Sequence, residues 1–378
     1  MHIVIASDSF KESASAVEVC AAIESGLKRV WADAAFDLVP MADGGEGTAE
    51  ALVAATGGRY VEVQVRDALG ELIDARYGML GEGRTAAIEM AAASGLEHVP
   101  PEKRAPAFTT TFGTGQLMRH AIEQGVDRMI VGLGGSATND AGAGMAQALG
   151  YSLRDKDELE LPFGGLALSR LDWIESQKRH AGLEHVEVIG AYDVDSPLCG
   201  PGGASYVFGP QKGASPKTVE LLDAALRHFG EYVEEEYGID VLEAKGAGAA
   251  GGLGAGLIVF ANATLRPGID VVAEACGLEE RIAKSDLVIT GEGKLDGQSL
   301  HGKAPIGVAR ISKRAGVPVV AFAGVLGEGA EDLASEGIEA VFPICKEGMT
   351  AEESMRRTAE LLADEAEKFA TEWDARNR

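Results

Sequence analysis

Cysteine is scarce. Four occur in 378 residues, at Cys20, Cys199, Cys276 and Cys345, and no two form a CxxC pair. Neither a zinc site nor a disulfide framework is expected. The seven histidines show no metal spacing, and His180 and His185, five apart, fall off a common helical face. No run of about 18 apolar residues is present to span a bilayer. The start, MHIVIASD, lacks the basic region and long apolar core of a signal peptide and reads as a first strand, so a cytoplasmic location is expected. Positive charge is short as well: 34 Lys and Arg stand against 59 Asp and Glu, a net charge of −25. Such a surface disfavours nucleic acid and acidic membranes as partners. A site for phosphates must therefore gather its own Lys, Arg, backbone N–H groups or metal.

Glycine is what the chain has in excess, 50 of 378 residues against an average of about 7%. There is no G-X-Y period, which excludes collagen. The glycines cluster in a few loops beside apolar runs, where they allow positive φ and close approach to a ligand.

The length predicts two domains. Strand-like runs (3–7, 36–41, 287–290, 317–323, 340–343) alternate with helical patterns (14–30, 48–55, 306–314, 352–369), as in a parallel sheet covered on both faces. Between them, 59–80 and 85–90 alternate as antiparallel strands do, 129–133 and 186–192 are further strands, and 218–236 is a long amphipathic helix. The charged segment 151–185 reads as a mobile excursion. The expected plan is α/β with two domains: a Rossmann-like parallel-sheet domain from both chain ends (1–64 with 285–378), and an inserted mixed α/β domain (65–284).

Five stretches fall at the C-terminal ends of expected strands, where open α/β sheets bind ligands. They are SDSFKES (7–13), MADGGEGT (41–48), GLGGSATNDAGAG (132–144), DVDSPLCGPGGASYVFGPQKG (193–213) and TGEGKLDGQSLHGKA (290–304). The third admits three readings. Gly132-x-Gly134-x-x-Ala137 loosely fits a dinucleotide fingerprint, but no strand ending in an acidic residue follows at the right distance to hold a ribose. It also reads as a phosphate-binding turn, with glycine N–H groups, Ser136, Thr138 and Asn139 at the positive end of a helix. The plainest reading is a helix N-cap by Asn139 or Asp140. Phosphate binding together with capping is preferred. Gly297-x-x-x-x-Gly302-Lys303 nearly matches a P-loop, but Ala304 replaces the Mg²⁺-binding Ser or Thr, so the match is read as coincidence.

Carboxylates recur in these loops: Asp8, Asp43, Glu46, Asp193, Asp195, Glu292 and Asp296, with Lys11, Lys212 and Lys294 nearby. Any one alone is more simply a turn former. As a set they fit phosphoryl transfer, which needs positioned phosphates, charge neutralisation and a carboxylate beside the attacking hydroxyl. No serine nucleophile elbow or zinc set competes.

In order along the chain, SDSFKES, MADGGEGT, TFGTGQLM (111–118), GLGGSATNDAGAG, DVDSPLCGPGGA and TGEGKLDGQSLHGKAP resemble the glycerate kinase family, which includes the bacterial glycerate 2-kinases. The resemblance runs from Ser7 to about Gly327. It implies transfer of the γ-phosphate of ATP, with Mg²⁺, to D-glycerate, giving 2-phosphoglycerate. It also implies two domains with the site in the cleft, so closure on binding is expected.

Carried onto this chain, it assigns Gly134, Gly135, Ser136, Thr138 and Asn139 to the nucleotide. Asp8, Ser9, Asp43, Glu46 and Glu292 go to the substrate. Lys11 and Lys294 are candidates for pairing the glycerate carboxylate, and Asp193 and Asp296 for general base or metal ligand. The alternatives are a kinase for another small hydroxy acid, transfer to the 3-hydroxyl, a hinged anion-binding protein and an NAD-dependent dehydrogenase. A homo-oligomer is left open.

Overall fold

A computed structural model of the chain describes residues 1–297, 300, 303–346 and 348–376. The fold is α/β in two compact units. The first comprises Met1–Asp43, Glu50–Gly57 and Ile269–Arg378, and the second Gly44–Ala49 and Gly58–Gly268.

The first unit is Rossmann-like. Its five strands lie in the order Ile338–Pro343, Val319–Leu326, Leu287–Leu295, His2–Ser7, Ala35–Leu38, and every pairing is parallel. Consecutive residues Ile3, Val4 and Ile5 are all fully buried, as in a strand covered on both faces. The helix Ala16–Lys28 begins at a capping box, in which the Ser15 hydroxyl accepts from the Glu18 N–H and the Glu18 carboxylate from the Ser15 N–H. It buries Val19, Cys20, Ile23 and Leu27. A Cβ on Gly26 would lie 2.0 Å from the Ala363 carbonyl oxygen, so here the helix meets Thr358–Arg376 backbone to backbone.

The second unit holds a mixed sheet in the order Thr264–Pro267, Glu187–Tyr192, Arg128–Gly132, Thr85–Glu89, Leu72–Met79, Arg59–Arg66. The first four strands run parallel and the last two pairings are antiparallel.

Several expectations change. Thr85–Glu89 is antiparallel only to Leu72–Met79; it pairs in parallel with Arg128–Gly132 along its whole length, because Ala86, Ala87 and Ile88 are buried in succession rather than alternately. The segment 151–185 is an ordered part of the unit. Ser152–Arg154 and Trp173–Glu175 form an antiparallel ladder, and Leu153, Leu161, Leu168, Leu171 and Ile174 join the core. The helical pattern over 352–369 is two helices, Ala351–Arg356 and Thr358–Arg376, broken at Arg357. The units also divide elsewhere than at 64/65 and 284/285. Arg59–Arg66 is one uninterrupted strand of the second sheet, and the residues from Ile269 onward pack with the first unit.

Candidate functional site

In the second unit, Thr85–Glu89, Arg128–Gly132 and Glu187–Tyr192 are neighbouring parallel strands in register, with Glu89 opposite Gly132 and Gly132 opposite Ala191. Their C-terminal ends deliver Glu89, the glycine loop and the Asp193 loop to one edge of the sheet, where α/β folds place ligands. Asp193 itself is exposed. The Gly44–Ala49 segment reaches the same edge. A Cβ on Gly134 would lie 2.6 Å from the Gly45 Cα, so only glycine lets the two motif loops touch. Glu46 is exposed on that segment, whereas Glu89 is half-buried and accepts from the Ala49 N–H at 2.7 Å. Burial, then Glu46 and Glu97, push the Glu89 carboxyl above its usual range against the pull of the Ala49 N–H.

The loop that follows Gly132 is gripped by side chains distant in sequence. The Lys212 ammonium is buried and donates to the Ser136 hydroxyl (2.6 Å) and the Thr138 carbonyl (2.7 Å). Burial lowers its pKa to about 7, opposed by the negative charge of Asp140. The Asn139 amide donates to the Ser205 hydroxyl at 3.0 Å. Two buried polar atoms of the loop, Thr138 Oγ1 and Asn139 Oδ1, have no hydrogen-bond partner among the described residues.

Asp140 corrects the expected cap. The residue before helix Ala143–Ala148 is Gly142, at φ 72°, and the Asp140 carboxylate reaches past it to accept from the N–H groups of Gly142 and Gly144. It also takes the N–H and hydroxyl of Thr111, and the Thr111 hydroxyl accepts from the Met145 N–H. Those first-turn donors are spent within the protein, so any phosphate site here belongs to the loop and not to the helix end. Burial still outweighs these donors and holds the Asp140 carboxyl above its usual range.

In the first unit, Asp8 follows the interior strand His2–Ser7 and is buried. Burial first, then Asp43 and Glu292, push its pKa up to about 8, while the Ser9 N–H (2.6 Å) and Lys11 pull it down. Asp8, Lys11, Asp43 and Glu292 thus share one electrostatic neighbourhood. Glu292 and Lys294 sit on a strand, not a loop, because Leu287–Leu295 runs on past its apolar start. Lys303, which precedes helix Ala304–Ala315, is paired with Glu292 at 2.6 Å. It therefore does not act as a P-loop lysine, and Gly302 of that near-match lies outside the described residues. Burial raises the Glu292 carboxyl above its usual range, opposed by Lys303, and Glu292 Oε2 is buried without a hydrogen-bond partner among the described residues.

Lys294, exposed, is paired with the largely buried Asp296 at 2.8 Å. Of the two lysines expected to meet a substrate carboxylate, Lys294 is thus already engaged, and Lys11 is the one that acts on Asp8 and Glu292. Among the described residues no three His, Cys, Asp or Glu side chains are gathered as metal ligands.

Sequence reasoning missed Lys212 as the clamp of the loop, Ser205, Thr111, Glu89 and the Glu292–Lys303 pair. All of these but Glu89 did lie inside quoted motif stretches. The missing signal was pairing, since Lys212 meets residues 74 and 76 positions away.

The second unit carries a glycine loop clamped by a buried lysine and the first a carboxylate–lysine cluster, and each is a feature that phosphoryl transfer to an alcohol uses. The glycerate kinase family model matches residues 3–374. The chain is 50% identical over 344 residues to glycerate kinase of Haemophilus influenzae, covering 91% of each chain. It is 49% identical over 356 residues to glycerate 2-kinase of Escherichia coli, covering 94% of this chain and 93% of that one. A solved structure from Salmonella typhimurium LT2, assigned as glycerate kinase 2, superposes with a TM-score of 0.89 at 47% identity over 100% of this chain and 99% of that one. The chain belongs to the glycerate kinase family. No helix among the described residues is long and apolar enough to cross a membrane.

Proposed function

We propose that the chain transfers the γ-phosphate of ATP to D-glycerate, producing 2-phosphoglycerate and ADP. The observation that carries this reading is the match of about half the residues over more than nine-tenths of the chain to a glycerate 2-kinase, with the loops of both units included. On this reading Gly134, Gly135, Ser136, Thr138 and Asn139 hold the nucleotide phosphates. The unpartnered Thr138 hydroxyl and the buried Lys212 ammonium can both donate to an anionic guest. Glycerate falls to the first-unit cluster with the adjacent Ser9, and Glu46 is kept as a further substrate candidate: Lys11 pairs the carboxylate, and Asp8, Asp43 and Glu292 accept from its hydroxyls.

Asp193 is our candidate base. It takes the proton of the attacking hydroxyl as the new O–Pγ bond forms and the bond from Pγ to the β-phosphate oxygen of ADP breaks. Mg²⁺ would neutralise charge on the phosphates, and Asp193 and Asp296 are the carboxylates we assign to it. Mg²⁺ keeps several waters and needs only one or two carboxylates beside substrate phosphates. Dependence on ATP supports a cytoplasmic location.

The test is ADP release from MgATP and D-glycerate, followed by enolase added alone to the product. Direct conversion is expected. A product that enolase accepts only after a mutase has acted assigns the 3-hydroxyl, and absence of ADP release overturns the reading.

A further inference from the structure

We propose that Lys212 is the positioning residue of the nucleotide-phosphate loop, and that the phosphates of bound nucleotide balance the charge of its buried ammonium. The inference rests on the reading of the 132–140 loop as a phosphate site. Its physical basis lies in what surrounds the amine. One short segment, Ala204–Phe208 followed by the turn Pro210–Lys212, holds the loop at three of its four positions from 136 to 139: Lys212 takes Ser136 and Thr138, and Ser205 takes Asn139. That fixes the shape of the loop without using Thr138 Oγ1 or Asn139 Oδ1.

A neutral side chain would serve as well for the clamp alone. An ammonium carries three donors, of which two are used here. Among the described residues no carboxylate comes within ion-pair distance of it. Asp140, whose charge it feels, has its oxygens committed to Thr111, Gly142 and Gly144. A buried cation left in this condition is costly to keep charged. An anionic guest on the loop supplies the missing partner, and the polyphosphate of a nucleotide is the class of anion that matches a glycine loop with polar side chains.

The experiment compares Lys212→Gln, which keeps a donor and loses the charge, with Lys212→Met, which keeps the bulk only, and with Thr138→Ala. The last removes a hydroxyl that has no partner among the described residues. Folding is checked by circular dichroism, MgADP affinity by calorimetry, and KM for D-glycerate by steady-state kinetics. The expected result is folded Lys212 variants with MgADP affinity weakened at least about ten-fold and glycerate KM within about two-fold of the parent. Lys212→Gln that binds MgADP like the parent, while Thr138→Ala binds it weakly, overturns the proposal and leaves the loop reading standing. Undiminished binding in all three overturns the loop reading and the proposal with it.

Should the Lys212 variants not fold, lysine labelled with ¹³C at Cε in the parent protein gives the answer. MgADP is expected to move the resonance of the buried lysine more than those of exposed lysines, and an unmoved resonance refutes the role.

Discussion

At the scale of single residues, two side chains are held by burial in protonation states unlike their ordinary ones, and they do so in opposite directions. Asp8 binds its proton up to about pH 8 in the folded chain but only to about 3.8 when unfolded. Between those values the folded state holds the extra proton, so Asp8 erodes stability as pH rises through that window. Asp8→Asn is therefore expected to melt several degrees higher than the parent at pH 8 and at the same temperature near pH 4, as followed by scanning calorimetry. Equal melting at pH 8 contradicts the assignment. Lys212 works the other way: its folded pKa of about 7 lies below the ordinary 10.5, so its burden on the fold is full below pH 7 and lifts as pH climbs toward 10. Asp193 is exposed, and its substitution separates chemistry from folding. Asp193→Asn should lower kcat by roughly 10²–10⁴ with the melting temperature nearly unchanged, and near-normal turnover removes it as the base.

At the scale of elements, the segment behind the glycine loop contains three successive left-handed residues inside helix Ala249–Ala261: Ala250, Gly251 and Gly252, at φ 52°, 70° and 86°. The first is an alanine that gains nothing from that conformation; the second could not be one, because a Cβ on Gly251 would lie 2.0 Å from the Thr138 carbonyl oxygen. Opposite effects at adjacent positions follow. Gly251→Ala is expected to cost about 2–4 kcal/mol, and Ala250→Gly to be neutral or to stabilise by up to about 1 kcal/mol. Urea midpoints at constant m resolve the two, and equal shifts at both positions would refute the contact.

Elements of this kind mark how far the sequence could be read. The strands at His2–Ser7, Leu287–Leu295 and Val319–Leu326 were legible because each contains a continuous apolar run. The glycine loop was legible through its placement after such a run. The extension of Leu287–Leu295 through Glu292 and Lys294 was hidden by charge, since it projects beyond the core where polarity no longer reports burial. The order of 151–185 was hidden too, its buried leucines being spread among charged neighbours. The grip of Lys212 was hidden because nothing local records that Ser136 and Thr138 fold over it.

At the scale of the whole molecule, a net charge of −25 means that the folded chain works against its own repulsion. Raising NaCl from about 10 mM to about 500 mM shortens the Debye length from roughly 30 Å to a few ångströms and should raise the melting temperature by a few degrees. A flat or falling response would show that local ion pairs such as Arg29 with Asp364 and Glu367 outweigh the global field.

The position of the first strand has a consequence for synthesis. His2–Ser7 is synthesised well before Leu287–Leu295, yet it lies inside its sheet, with Ala35–Leu38 on one side and Leu287–Leu295 on the other. At elongation rates of about 5–20 residues per second that second neighbour arrives on the order of tens of seconds later. Meanwhile Gly58–Gly268, almost the whole of the second unit, is complete and contiguous. Until then the nascent chain carries an unpaired apolar strand edge, which makes His2–Ser7 a natural client for a chaperone.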